Sequence, residues 1–136
     1  MPHFRIGQAA SLLGVSDDTV RRWIDDGQLV AGTDGAGRKV VEGAELARYA
    51  QELAERRQLP AVGGVSSSAR NHFTGLVTRV QADGVMAQVD LQCGPFRVVS
   101  LMSAEAARDL GLEPGSLAAA VVKATTVIVE APREMP

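Results

Sequence analysis

At 136 residues the chain has room for one domain or two small ones, and 14 Lys+Arg against 16 Asp+Glu leave a formal charge of -2, so any nucleic-acid contact must come from a local patch. Cys93 is the only cysteine, which excludes an internal disulfide and a thiolate-rich metal site, and His3 and His72 lie in different halves, so no metal-cation site is expected. No apolar tract is long enough to span a bilayer and no leader pattern opens the chain, so Met1 onward reads as mature protein, with a cytoplasmic location and no membrane contact as the expectation.

Ile6, Ala9, Ala10 and Leu13 recur at helical spacing and Gly14 breaks the pattern, which predicts a short helix ending near Leu13. Ser16 is a good N-cap for the next helix, and Asp17 and Asp18 suit the positive end of its dipole. Val20, Trp23 and Ile24 share one buried face, leaving Thr19, Arg21, Arg22 and Asp26 directed largely outward. Two short helices joined by a Gly-containing turn form a helix-turn-helix pattern, whose second helix enters the major groove N-terminus first. Ser16, Asp17, Thr19 and Arg21 then stand nearest to bases or phosphates, with Arg22 as a second cation. The aspartates are awkward neighbours for phosphate, although Asp accepts from cytosine N4.

Gly27 ends this helix, and a Gly-rich tip between Gly32 and Val41 reads as a hairpin with Arg38 and Lys39 on its returning arm. A cationic hairpin beside a recognition helix is a wing placed to grip the phosphate backbone. Leu46, Tyr49, Ala50 and Leu53 then mark a third helix, from Glu42 to Arg57, that covers the core. A solvated cationic face is the competing account of Arg21, Arg22, Arg38 and Lys39.

The run from Ile6 to Ser16, then Thr19-Val20-Arg21-Arg22-Trp23, then Gly27-Gln28-Leu29, resembles the winged helix of MerR-type regulators and excisionases over roughly residues 4–57. The resemblance implies that the helix carrying Arg21 and Arg22 enters the major groove and that Arg38 lies against phosphate.

Residues 59–67, with Pro60, Gly63, Gly64 and serines, lack helical or strand periodicity and read as a linker that includes Ser66 and Ser67. Beyond Asn71 the period becomes two: Val85, Ala87, Val89 and Leu91 face one side, and Met86, Gln88, Asp90 and Gln92 the other. Asp83-Gly84 and Gly94-Pro95 are turns, and Phe96 to Met102 is a strand. Ser103 caps a short helix, Ala104 to Leu110, ended by Gly111, and residues 117–129 supply one or two further strands. About five strands and one short helix suggest a small oligonucleotide/oligosaccharide-binding (OB)-like β-barrel. The expected fold class is α+β with two domains: a winged helix-turn-helix over residues 1–58 and the barrel over 68–132, joined by the linker.

The second half resembles the molybdate-binding Mop domain, also called TOBE or molbindin. The matching residues are Ser68-Ala69-Arg70-Asn71, Gly75 and Val77, the strand from Gly84 to Leu91, Ser100 to Ser103, Leu110-Gly111-Leu112, Gly115, and Val122-Lys123-Ala124-Thr125. The resemblance implies oxyanion binding by Ser68, Ala69, Arg70, Asn71, Ser103, Ala106, Lys123 and Ala124, with Ser68 and Arg70 of one subunit meeting Ser103 and Lys123 of another. Relatives often carry a hydroxyl where this chain has Ala106, so a side-chain donor is lost there while the backbone N–H is expected to remain.

Molybdate and tungstate are tetrahedral dianions without a proton at neutral pH, so a site made only of hydroxyl, guanidinium, ammonium and backbone N–H donors suits them. A helix N-terminus after Ser103 adds free N–H groups and a positive dipole end. Taken singly, Lys123 could snorkel at a strand edge and Arg70 could pair with an acid. His72 is read as solvated or packed, Met86 and Met102 as core or interface fillers, and Cys93 as a small buried apolar residue.

Together these features predict a molybdate- or tungstate-responsive transcriptional regulator that binds double-stranded DNA. With one recognition helix and one anion unit per chain, a homo-oligomer is expected, a dimer or a multiple of dimers. The alternative is an oxyanion-binding or storage oligomer whose winged helix serves protein contacts alone. No nucleophile-base-acid set, phosphate loop or redox motif is present, so an enzyme is not expected.

Overall fold

The computed structural model describes residues 2–64 and 67–133; Met1, and Ser66 of the expected linker, lie outside the described residues. Two compact units are present, one containing the residues up to Gln58 and one spanning Leu59–Val129.

In the first unit, α1 (Ile6–Leu13) ends where Gly14 adopts the left-handed φ of 70°. Ser16 caps α2 (Asp17–Asp25) as its sequence predicts, its hydroxyl accepting from the Thr19 N–H at 3.1 Å. The wing is the hairpin of β2 (Gly32–Thr33) and β3 (Lys39–Glu42), and α3 (Gly43–Arg56) closes the unit. β1 (His3–Arg5), not apparent in the sequence pattern, pairs with β3 through Phe4 and Val41, making a three-stranded sheet of order β1-β3-β2. Ile6, Ala9, Ala10, Val20, Leu29, Val41, Leu46 and Tyr49 form the buried core. The Trp23 ring tilts against Tyr49 with centroids 5.0 Å apart, and the Tyr49 hydroxyl donates to Gln28 Oε1 at 2.9 Å, so the polar tip of a fully buried ring is satisfied.

The second unit is a curled antiparallel half-barrel, consistent with the expected barrel-like class. Its strands are β4 (Asn71–Ala82), β5 (Met86–Cys93), β6 (Phe96–Ser103) and β7 (Leu117–Val122), in the order β6-β5-β4-β7, with α4 (Ala104–Asp109) following β6. Among the described residues the sheet has four strands rather than about five, and β6 and β7 are its open edges. The difference lies after Val122, where Lys123 starts a 3-10 turn (Ala124–Thr126) and its carbonyl accepts from both the N–H and the hydroxyl of Thr126 at 3.0 and 2.9 Å.

β4 pairs with β7 from Asn71 to Leu76 and with β5 from Leu76 to Ala82, changing partner beside Gly75. There β5 passes so close that a Cβ on Gly75 would overlap the Gln92 carbonyl oxygen and lie 2.7 Å from Cys93 Sγ. Val77, Val89, Leu91 and Cys93 are the buried core, with Met102 packed against it. Val85 does not share that face. It is 74% exposed in the β4–β5 turn, where the Asp83 carboxylate accepts from the N–H groups of Val85 and Met86 at 2.8 and 2.7 Å, and Met86 is likewise exposed.

Alternation puts Asp90 opposite Val89 and Leu91, yet Asp90 is only 5% exposed. Arg97 covers it, donating from Nη2 at 2.7 Å and Nε at 3.1 Å, and Gln88 donates at 3.1 Å. The Arg97 bonds first, then the Gln88 amide, hold the Asp90 carboxyl below the usual aspartate range. A lowered folded-state value contributes stability that is complete above about pH 4 and is lost as pH falls through that lower value. Asp90→Asn is therefore expected to flatten the acid side of the stability profile, measured by urea unfolding from about pH 6 to pH 2. An unchanged acid slope would contradict this role for the Arg97–Asp90 pair.

Candidate functional site

The Ser68–Asn71 loop and the end of β7 are neighbours. Asn71 is paired with Val122, and its Nδ2 donates to the Val122 carbonyl at 3.1 Å. Arg70 precedes Asn71 and Lys123 follows Val122, so the two cationic residues emerge from adjacent chain ends. The loop backbone is held on both sides of Ala69: its N–H donates to Ser67 Oγ at 3.1 Å, and its carbonyl lies 2.8 Å from His72 Nε2. Ser68, Arg70 and Lys123 are exposed, and among the described residues their side chains have no hydrogen bond or ion pair. Arg70 therefore does not pair with an acid of this unit. Residues 67–82 and 114–129 contain no Asp or Glu, so two strands and their flanks offer donors without a competing carboxylate.

The other candidate ligands lie elsewhere. Ala82 pairs with Ala87, Ala87 with Met102 and Met86 with Ser103, which places Ser103 and α4 at the far end of β4 from Asn71. At about 3.3 Å per residue the path along that strand is on the order of 36 Å. One chain thus brings Ser68, Ala69, Arg70, Asn71, Lys123 and Ala124 together and leaves Ser103 and Ala106 apart. This differs from the expected grouping of Lys123 with Ser103, because the β4–β7 register binds the Lys123 segment to the Arg70 segment. The Ala106 N–H is also not free: it donates to Ser103 Oγ at 3.0 Å, and the Ala104 N–H donates to the Val85 carbonyl at 2.8 Å. Ser103 spends its acceptor on the helix and keeps its hydroxyl hydrogen as a donor.

In the first unit, Asp17, Arg21 and Arg22 are exposed on α2, and Arg38 and Lys39 are exposed on the wing. Thr19 differs from its expected outward position: it is half-buried, and its hydroxyl lies 2.9 Å from Ser16 Oγ, so the two hydroxyls engage each other. Arg21 Nη1 donates to Asp18 at 3.3 Å, and Arg38 Nε donates to Asp34 at 3.2 Å. Arg22 and Lys39 have no ion pair among the described residues. The turn built on Asp34 and the cap role of Ser67 are not apparent in the sequence pattern, although a short polar residue before Gly35, and a serine two residues before a backbone donor, are local signals for such turns; His72, expected to be solvated or packed, is engaged with the Ala69 carbonyl.

Residues 67–129 match the TOBE domain family, and residues 4–54 match a helix-turn-helix domain family. The chain is 38% identical over 66 residues to molybdenum-pterin-binding protein 3 of Clostridium pasteurianum, covering 48% of this chain and 97% of that protein. The chain belongs to the TOBE-domain family. Its TOBE domain is preceded by the helix-turn-helix domain built from α1 and α2. The molybdenum transport protein ModE of Herbaspirillum seropedicae is 33% identical over 97 residues, 62% of this chain and 36% of that protein, so the chain spans about a third of its length. Among solved structures, a molybdate-binding protein from Sporomusa ovata is 28% identical, with 49% of this chain and 100% of that one covered and a TM-score of 0.47. No helix among the described residues is long and apolar enough to cross a membrane.

Proposed function

We propose that this TOBE-domain protein is a cytoplasmic, molybdate- or tungstate-responsive regulator that binds double-stranded DNA, acting by binding rather than by catalysis. The observation that carries the anion reading is the donor-rich cluster of Ser68, Arg70 and Lys123, whose side chains are unpartnered among the described residues and have no acid in the strands that bear them. The molybdenum-related names of the two curated relatives point to the same class of ligand.

We place the anion where the Ser68–Lys123 end of one copy meets the Ser103–Ala106 turn of another, because one chain holds these groups at opposite ends of β4. A homo-oligomer, a dimer or a multiple of dimers, is supported by apolar exposure on the TOBE domain. Leu101 is 70% exposed, Ile128 88% and Val129 84%, beside two open sheet edges. Anion binding stabilises that assembly by mass action and so changes how pairs of α2 helices meet DNA. The storage alternative draws on the acids of α2 and the wing, since Asp18 and Asp34 each engage one of the proposed DNA-contact arginines.

Thermal unfolding and light scattering with molybdate, tungstate, sulfate and phosphate test the anion reading. At a hundredfold excess over Kd, molybdate or tungstate should stabilise by about 2.7 kcal/mol, a shift on the order of 10 °C for a small domain. Hydrogen phosphate should do least, because residues 67–82 and 114–129 hold no carboxylate to take its proton and leave only weaker hydroxyl and carbonyl acceptors. If none of the four anions raises the melting temperature, the anion reading is wrong. For DNA, Arg21→Ala with Arg38→Ala should abolish duplex binding under the regulator reading and leave every property intact under the storage one.

A further inference from the structure

We propose that Asp34 is a positioning residue for the wing arginine, holding the Arg38 guanidinium ready for a DNA phosphate; this rests on the DNA-binding reading above. Asp34 Oδ1 accepts from the backbone N–H groups of Ala36 and Arg38, each at 2.9 Å, and Oδ2 accepts from Arg38 Nε at 3.2 Å. The Asp34 N–H donates to the Arg38 carbonyl at 2.9 Å, and the Asp34 carbonyl accepts from Gly37 at 3.0 Å. Gly37, with φ of 78°, lets the chain return. The shape of the wing tip and the aim of its cation thus depend on one side chain. The Arg38 backbone N–H, the largest influence, together with the Ala36 N–H and the guanidinium, keeps the Asp34 carboxyl below the usual aspartate range, so it is ionised at neutral pH.

A guanidinium has five N–H donors, and Asp34 engages only the one on Nε. Among the described residues both terminal nitrogens of Arg38 keep theirs, in the fork that suits phosphate. The arginine side chain is 53% exposed and the aspartate 27%, so the cation stays accessible while the acid is tucked beneath it. Ordering Arg38 in the free protein removes part of the entropy loss of fixing it on DNA. The α2 pair is built differently: Asp18, 96% exposed, holds a terminal nitrogen of Arg21 and competes with phosphate for it.

The sign of one substitution tests this. An acid near DNA with no positioning role repels phosphate, so neutralising it tightens binding. Asp34→Asn keeps an oxygen for the two backbone N–H groups and sets an amide donor against the Nε donor, preserving the turn while releasing the guanidinium. The probe is a random-sequence duplex of about 30 base pairs in ~50 mM salt, followed by fluorescence anisotropy. Arg38→Ala should weaken binding roughly 3- to 10-fold and reduce the salt slope by about one. Asp34→Asn should weaken it about threefold alone, and have no effect or tighten it in the Arg38→Ala background. Equal or tighter binding by Asp34→Asn alone, or the same weakening in both backgrounds, overturns the positioning role and leaves the DNA-binding reading standing. A wild-type chain that does not bind the duplex overturns both. Without DNA, the Arg38 Nε–H should exchange with water slowly in wild type and fast in Asp34→Asn, and equal exchange also overturns the proposal.

Discussion

Replacing Arg70 and Lys123 together by alanine is expected to abolish stabilisation by molybdate, lowering affinity at least a hundredfold. Charge-assisted hydrogen bonds contribute about 1.5 to 3 kcal/mol each, so each cation accounts for roughly 10- to 100-fold. The two effects need not add, because both cations act on one ligand. The fold itself should not suffer, since neither side chain has a partner among the described residues and both are exposed. Removing two cations from adjacent chain ends also relieves mutual repulsion. Isothermal titration with molybdate, alongside ligand-free melting curves, separates the outcomes. Retained affinity in the double variant would show that the anion binds elsewhere. A lower ligand-free melting temperature would show that these residues are structural.

Gly75→Ala is expected to cost about 3 kcal/mol or more, enough to remove most of the stability of a domain this small. The added Cβ would meet the Gln92 carbonyl oxygen and Cys93 Sγ, and the carbonyl belongs to a residue paired with Leu76, so it cannot move without parting β4 from β5. Cys93 Sγ, 3.4 Å from the Phe73 carbonyl, closes the remaining space. Gly84→Ala is the control: a Cβ there meets nothing within 4 Å and φ is not left-handed, so it should be neutral or slightly stabilising. Circular dichroism melts of the two variants decide the point, and a Gly75→Ala chain that melts like wild type would refute the packing account.

The contrast between these positions bears on how much of the molecule is legible in its sequence. Local chemistry is: Ser16 and Ser103 cap the helices their neighbours predict, and Gly94-Pro95 makes the turn between the paired residues Cys93 and Phe96. Both caps and hairpin turns depend on residues within a few positions of one another. Long-range pairing is not legible in the same way. β1 is three residues whose partners lie beyond position 39, and the two-partner course of β4 rests on how closely Gly75 approaches Gln92. For the same reason the candidate anion residues are recognisable by kind, while the adjacency of Arg70 and Lys123 and the distance to Ser103 follow from register alone. Alternation places Asp90 on the face opposite Val89 and Leu91, but its burial comes from Arg97 on the neighbouring strand.

β7 runs Leu-Ala-Ala-Ala-Val-Val, without a charge or proline, along an outer edge of the sheet. Natural edges are commonly guarded by lysine, proline or a bulge, and a bare one templates cross-β growth. With this edge uncovered the chain carries a fibrillation hazard that a charge placed within β7 would suppress. Substitutions that loosen the sheet next to this edge should surface first as insoluble product in the producing cell, before any loss of folded structure is measured.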